Sequence, residues 1–227
     1  TNPNSDMRIG TTELPGAEGE LVYMDLSAED LGYPDSIRKY AAVDFMWQRA
    51  WGGVWMLNAA YTWSHSWGNN EGYVRSDNGQ DDAGLTTLFD QPGLLDNAYG
   101  DLPNDRRHQV KLYGAYAVTE DLTLGANLQF WTGRPINAFG YHPTDLFAQA
   151  YDSESFFAGG EPAPRGSRGR TSSYYSIDVS ASYNIDIGED QTLVVRADIF
   201  NLLNNDRVTE VNEIYDDAII RAKNQDE

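Results

Sequence analysis

From Val54 to Ser66 apolar and polar side chains alternate with a period of two. Trp55, Leu57, Ala59, Tyr61 and Trp63 form one face, and Met56, Asn58, Ala60, Thr62 and Ser64 the other. That period belongs to an extended strand, whose successive side chains point to opposite sides. The apolar face carries bulky rings toward its ends and small aliphatics between them. A strand that meets two membrane interfaces and the hydrocarbon between them has this profile.

The same rule recurs along the chain. Ala41, Val43, Phe45 and Trp47 oppose Tyr40, Asp44 and Gln48, and Arg49 to Gly53 reads as a short turn into the strand above. Val110, Leu112, Gly114, Tyr116 and Val118 oppose Gln109, Lys111, Tyr113 and Ala115, and Thr119-Glu120-Asp121 turns the chain. Leu122, Leu124, Ala126, Leu128 and Phe130 then return against Thr123, Gly125, Asn127 and Gln129. In the third pair Tyr175, Ile177, Val179, Ala181, Tyr183 and Ile185 face away from Ser176, Asp178, Ser180, Ser182 and Asn184. A turn near Gly188 to Gln191 leads to Leu193, Val195, Ala197 and Ile199, set against Arg196 and Asp198. The pattern predicts an all-β chain: an antiparallel meander of six long strands, in hairpins over 37–64, 106–132 and 173–204.

Connection lengths separate a soluble sheet from a membrane barrel. Turns within each hairpin are short, whereas roughly forty residues separate successive hairpins, against the ~4–6 usual in compact domains. Short turns at one end and long loops at the other are the habit of outer-membrane barrels, so the expected architecture is part of a transmembrane β-barrel with short periplasmic turns and long extracellular loops. The mean hydropathy of -0.55 does not oppose this, because barrel strands give half their residues to a polar lumen.

The formal charge of -19 is concentrated in the connections: residues 1–36 and 65–105 each carry -7, 205–227 carry -4, and 133–172 are neutral. Acid placed this way suits solvated loops and offers no surface to a polyanion, so nucleic acid is not an expected partner. The absence of cysteine removes disulfides and thiolate metal sites from consideration. The chain starts at Thr1 without Met, and its sixth strand has no seventh to pair with. Six strands are fewer than the ~8 of the smallest bacterial single-chain barrels. We therefore expect a fragment, or a chain that pairs with another.

The connecting segments carry a resemblance. Gly68-Asn69-Asn70-Glu71-Gly72, Arg75 to Asp82, Phe89-Asp90 and Gly100 to His108 resemble the C-terminal barrel region of Oar-like TonB-dependent outer-membrane receptors. Thr132-Gly133-Arg134-Pro135 is similar to that family's Ser/Thr-Gly-x-Pro, and Ile199 to Asn204 to its late "xFNLxN" strand. Asn2-Pro3, Arg38 and Tyr40 also fit. The resemblance implies a much larger protein in the bacterial outer membrane, with a plug, a TonB-contacting segment and more strands. Its implied partners are the lipid bilayer, lipopolysaccharide, TonB through a part not present here, and an unidentified solute.

Several clusters are candidates for chemistry. Asp77, Asn78, Gln80, Asp81 and Asp82 offer the hard oxygen donors that calcium takes. Their spacing is not that of an EF-hand, and Asp/Asn/Gly runs also make plain solvated turns. No other cofactor is expected, and the identity of any metal is unknown. Asp105, Arg106, Arg107 and His108 would bind an anion or a lipopolysaccharide phosphate through their guanidinium pair, or close a loop by pairing with neighbouring carboxylates. His65, His108 and His142 lie in or beside separate loops. Asp44, Asn58, Asn127, Asp178, Arg196 and Asp198 fall on the expected lumen face. Trp47, Trp55, Tyr61, Trp63, Tyr175 and Tyr183 fall on the expected lipid face, as interface anchors. Neither G-x-S-x-G nor H-E-x-x-H occurs, so we do not expect an enzyme. Two other readings stay open: a secreted or surface-attached β-sandwich binding glycan or calcium, and a barrel whose loops serve mainly adhesion. In a sandwich the apolar face would be buried between two sheets.

Overall fold

The computed structural model describes residues 6–12, 19–72, 87–150 and 155–215. In chain order its strands are β1 (Met7–Thr11), β2 (Val22–Leu26), β3 (Arg38–Arg49), β4 (Trp55–Gly68), β5 (Gly100–Asp101), β6 (His108–Ala117), β7 (Leu122–Trp131), β8 (Phe157–Ala158), β9 (Glu161–Pro162), β10 (Tyr174–Gly188) and β11 (Gln191–Ile199). A 3-10 turn at Pro92–Leu95 and a five-residue helix, α1 (Leu146–Ala150), are the helical pieces. No described helix is long and apolar enough to cross a membrane, which says nothing of a β-barrel.

Six long strands form one sheet in the order β11-β10-β7-β6-β4-β3, each antiparallel to its neighbours, with β5 added beside the end of β4. The fold is the antiparallel meander that the alternation predicts. Register keeps like with like. Phe45, Tyr61, Val110, Phe130 and Tyr175 line up across five strands, and the next apolar row is Trp47, Ala59, Leu112, Leu128 and Ile177. A one-residue slip would bring side chains of the other face, Gln48, Asn58, Lys111 and Asn127 among them, into these rows, so the period of two favours this register. The turns have local causes. Gly53 takes φ +88 between β3 and β4, a conformation that strains a residue with a Cβ. Thr119 accepts from the N–H groups of Asp121 and Leu122 through its hydroxyl, closing the β6–β7 turn.

No second sheet covers the apolar face among the described residues. Val43, Phe45 and Trp47 are 49%, 64% and 51% exposed. A β-sandwich requires that face to be buried, so the sandwich alternative is corrected: the sheet is a single layer.

The buried hydrophobic side chains lie in the connections instead. Leu88, Phe89, Leu95, Ala98, Phe139 and Phe156 form one cluster with Tyr33 against it. Phe139 meets Phe156 edge to face, with centroids 5.3 Å apart, and Tyr33 donates from its hydroxyl to the Asp90 carbonyl at 2.9 Å. Segments read as solvated loops thus pack into a cap with a core of its own. Residues 1–36 contain the β1–β2 hairpin, in which Arg8 and Asp25 face each other at 2.7 Å. At the other end of the sheet order, β11 stops at Ile199, short of the 204 expected. Asn201 and Asn204 take φ 49 and 48, a region that Asn tolerates better than most residues. The regular ladder ends there, while the chain stays against β10: Leu202 N–H bonds the Ile177 carbonyl at 2.7 Å.

Candidate functional site

The densest polar constellation is a collar where the strands enter the cap. β4 supplies His65 and Ser66, β5 supplies Asp101, the approach to β6 supplies Asp105, Arg106 and Arg107, and the approach to β10 supplies Arg170. The Asp105 carboxylate is fully buried. It accepts from Ser66 N–H and Arg107 Nε, each at 2.7 Å, and from Arg170 Nη2. Arg107 reaches both oxygens of Asp101 at 2.8 and 3.0 Å. Arg170 reaches Asp101 at 2.8 Å and the carbonyls of Asp105 and Gly133 at 3.1 and 3.0 Å. His65 Nε2 lies 2.9 Å from Asp101. Two carboxylates and two guanidiniums thereby cross-link four stretches of chain, the charge-assisted geometry that is strong when desolvated.

Burial raises the proton affinity of Asp101, but hydrogen bonds from His65 and Arg107 outweigh it and hold the carboxyl below its usual range. Burial works against the charge of Arg107 too, and Asp105 and Asp101 overcome it, raising that guanidinium. Arg106 is lowered, by burial first and then by the charges of Arg134 and Arg170.

Beside the collar, Arg134 pairs with the buried Glu213, which also accepts from Asn137 N–H at 2.9 Å. Burial pushes Glu213 upward despite these contacts. The turn before them needs Gly133, because a Cβ there would sit 1.7 Å from the Thr171 carbonyl oxygen. Arg165 is buried deeper, 2.9 Å from Glu71 and over the Phe156 ring at 4.5 Å. No motif or spacing marks the Arg134–Glu213, Arg165–Glu71 and Arg170–Asp101 pairs, whose members are separated by 79, 94 and 69 positions.

Of the residues singled out in the sequence, Asp105 and Arg107 come together in the collar, while Arg106 turns to the Thr132 carbonyl at 3.2 Å. His108 stands apart, with Nδ1 2.8 Å from the Tyr61 hydroxyl. His142 is separate again, 2.9 Å from Asp96. Among the described residues no three His, Asp or Glu side chains gather as a metal site would require. Asp77, Asn78, Gln80, Asp81 and Asp82 lie outside the described residues.

Strand pairing puts Asp44, Asn58, Asn127, Asp178, Arg196 and Asp198 on one face. They do not converge. Asp44 accepts from Thr62, Asp178 from Asn127 at 3.2 Å and Asn201 N–H at 2.8 Å, and Asp198 meets Arg196 at 2.8 Å. Trp131 stacks on Tyr174 on that same face, centroids 4.3 Å apart. The alternation places this ring pair there, but no motif marks it. Trp47, Trp55, Tyr61, Trp63, Tyr175 and Tyr183 fall on the opposite face. Trp47 and Trp55 lie toward the turns, and Trp63 and Tyr175 toward the cap. Trp55 and Trp63 are separated by about 26 Å of strand at ~3.3 Å per residue, less when projected through a strand tilt.

One long antiparallel sheet, apolar on an uncovered face and polar on the other, with hairpin turns at one end and a built cap at the other, defines a segment of β-barrel wall. The sequence narrows the class. The chain is 34% identical over 187 residues to the TonB-dependent transporter Oar of Myxococcus xanthus, a match covering 81% of this chain and 17% of that protein. That identity supports an Oar-like portion of a TonB-dependent receptor. No family model matches the chain, and no solved structure matches it.

Proposed function

We propose that this chain is part of the wall and outer cap of an outer-membrane receptor that takes up a solute with energy delivered through TonB. The observation that carries this is the uncovered apolar face, continuous in register over six strands, in a chain similar to a TonB-dependent transporter. Lipid is the solvent that such a face fits, and the aromatic rings near its two ends suit the interfaces, where lipopolysaccharide forms the outer layer. The polar and charged side chains of the other face suit a water-filled lumen. TonB would act through parts of the parent outside this chain, and no catalysis is assigned.

The test is solute depletion from the medium, followed by mass spectrometry, in cells with and without the full-length parent. Loss of at least one solute should require both the parent and TonB. Equal depletion in all strains would contradict uptake, and loss of cell adhesion without any change in depletion would assign the cap to adhesion.

A further inference from the structure

Four arginines meet where the strands enter the cap, and three of them have carboxylates. Arg107 and Arg170 face Asp101 and Asp105, and Arg134 faces Glu213. Arg106 differs. Among the described residues its guanidinium makes one hydrogen bond, to the Thr132 carbonyl, and no ion pair. A guanidinium has five N–H donors, so most of its capacity is unspent.

The Thr132-Gly133-Arg134 turn draws the others toward it. Arg106 bonds the Thr132 carbonyl, Arg170 bonds the Gly133 carbonyl at 3.0 Å, and Arg134 is the next residue. Arg134 is 5% exposed, and its Nε is buried with no hydrogen-bond partner among the described residues. Burial first, and then the charges of Arg134 and Arg170, lower the proton affinity of Arg106. The two carboxylates that act on it in the opposite sense are Asp105, already committed to the collar, and Glu210, which is exposed. A half-buried guanidinium that shares its turn with two others and has no ion pair among the described residues suits an anion with oxygen acceptors.

We propose that Arg106, at the Thr132-Gly133-Arg134 turn, is a binding site for an oxyanion, a carboxylate or phosphate group. The site goes beyond uptake and does not depend on it, since binding here requires only the folded collar. It also separates two neighbours that the sequence left equivalent: Arg107 holds the structure, and Arg106 is free to meet a ligand. The oxyanion has two sources, a soluble solute or the phosphate of a surrounding lipid.

The experiment is calorimetric titration of the full-length receptor in detergent with inorganic phosphate, and separately with phosphorylated and dephosphorylated lipid A. Arg106→Gln should weaken the phosphate-dependent signal at least tenfold, Arg106→Lys less, and Glu210→Gln should strengthen it severalfold. The Glu210 variant keeps the test decisive if Arg106→Gln does not fold. Arg106-dependent binding of inorganic phosphate assigns a soluble ligand. Arg106-dependent preference for the phosphorylated lipid, without binding of inorganic phosphate, assigns a lipid headgroup. Absence of both, or binding unchanged in Arg106→Gln and Glu210→Gln, overturns the site.

Discussion

The carboxylate of Asp101 and the guanidinium of Arg170, 69 positions apart in the chain, meet at 2.8 Å. Asp101 belongs to the segment between the first two long hairpins and Arg170 to the segment between the second and third, so this contact joins two loops at the base of the cap. Asp105 completes the joint from its buried position. The cap is therefore held at its base by charge and inside by apolar side chains.

Removing the buried acceptor should loosen that base. Asp105→Ala leaves Ser66 N–H without its acceptor and takes from Arg107 and Arg170 one of their two carboxylates. Breaking a buried ion pair from one side costs about 3–5 kcal/mol, toward the lower end here because both arginines are partly exposed. Hydrogen exchange at 64–68 and 101–107 should accelerate while the β6–β7 ladder stays protected.

Acid should act on Asp101 with a defined sign. Its proton affinity is lower folded than unfolded, so the stability it contributes is complete above the usual carboxyl range and is lost as pH falls through its folded value. Glu213 is raised, so its contribution is complete below the usual range and is lost as pH rises through its folded value. Protection factors, which divide out the intrinsic pH dependence of amide exchange, should fall around Asp101 on acidification and around Asn137 on leaving acid. Glu213→Gln should remove the second dependence and leave the first.

Gly133→Ala should disturb the turn that two arginines use. The added methyl would overlap the Thr171 carbonyl oxygen, and relief requires the backbone to move, at a typical cost of about 1–3 kcal/mol. The cost would appear as increased proteolysis between 132 and 171, with the sheet's circular dichroism unchanged.

Phe139→Ala should empty the cap's core. The ring is fully buried against Phe156, and such truncations cost about 3–5 kcal/mol. Since none of the six long strands contributes to that cluster, the loss should fall on the cap alone: faster exchange at 88–98 and 155–163, and intact strand pairing.

The six strands were legible because alternation is a local signal. Leu57 and Asn58 reveal the two faces of β4 without reference to any other strand. The cap was not legible for the opposite reason. Leu88, Phe89 and Leu95 follow no strand or helix period over a useful length, and their partners Tyr33, Phe139 and Phe156 come from distant segments. Acid in those segments suggested solvation, and Asp101 and Asp105 are instead consumed by arginines that no spacing rule would select. Asp105 and Arg107, two residues apart, could be read locally as a pair, whereas Arg170 could not. Ile199 to Asn204 was legible as a motif, but it ends the strand where the sequence suggested that the strand continues.

The central claim is that the face of Leu57, Ala126 and Val179 meets lipid while that of Asn58, Asn127 and Ser180 meets water. Single cysteines at these six positions of the full-length receptor, labelled with a fluorophore and exposed to lipid-confined and aqueous quenchers, test it most directly. The account predicts that the first three are quenched from lipid and the second three from water. Shielding of both sets from lipid would contradict it and would mean that the apolar face is covered by protein.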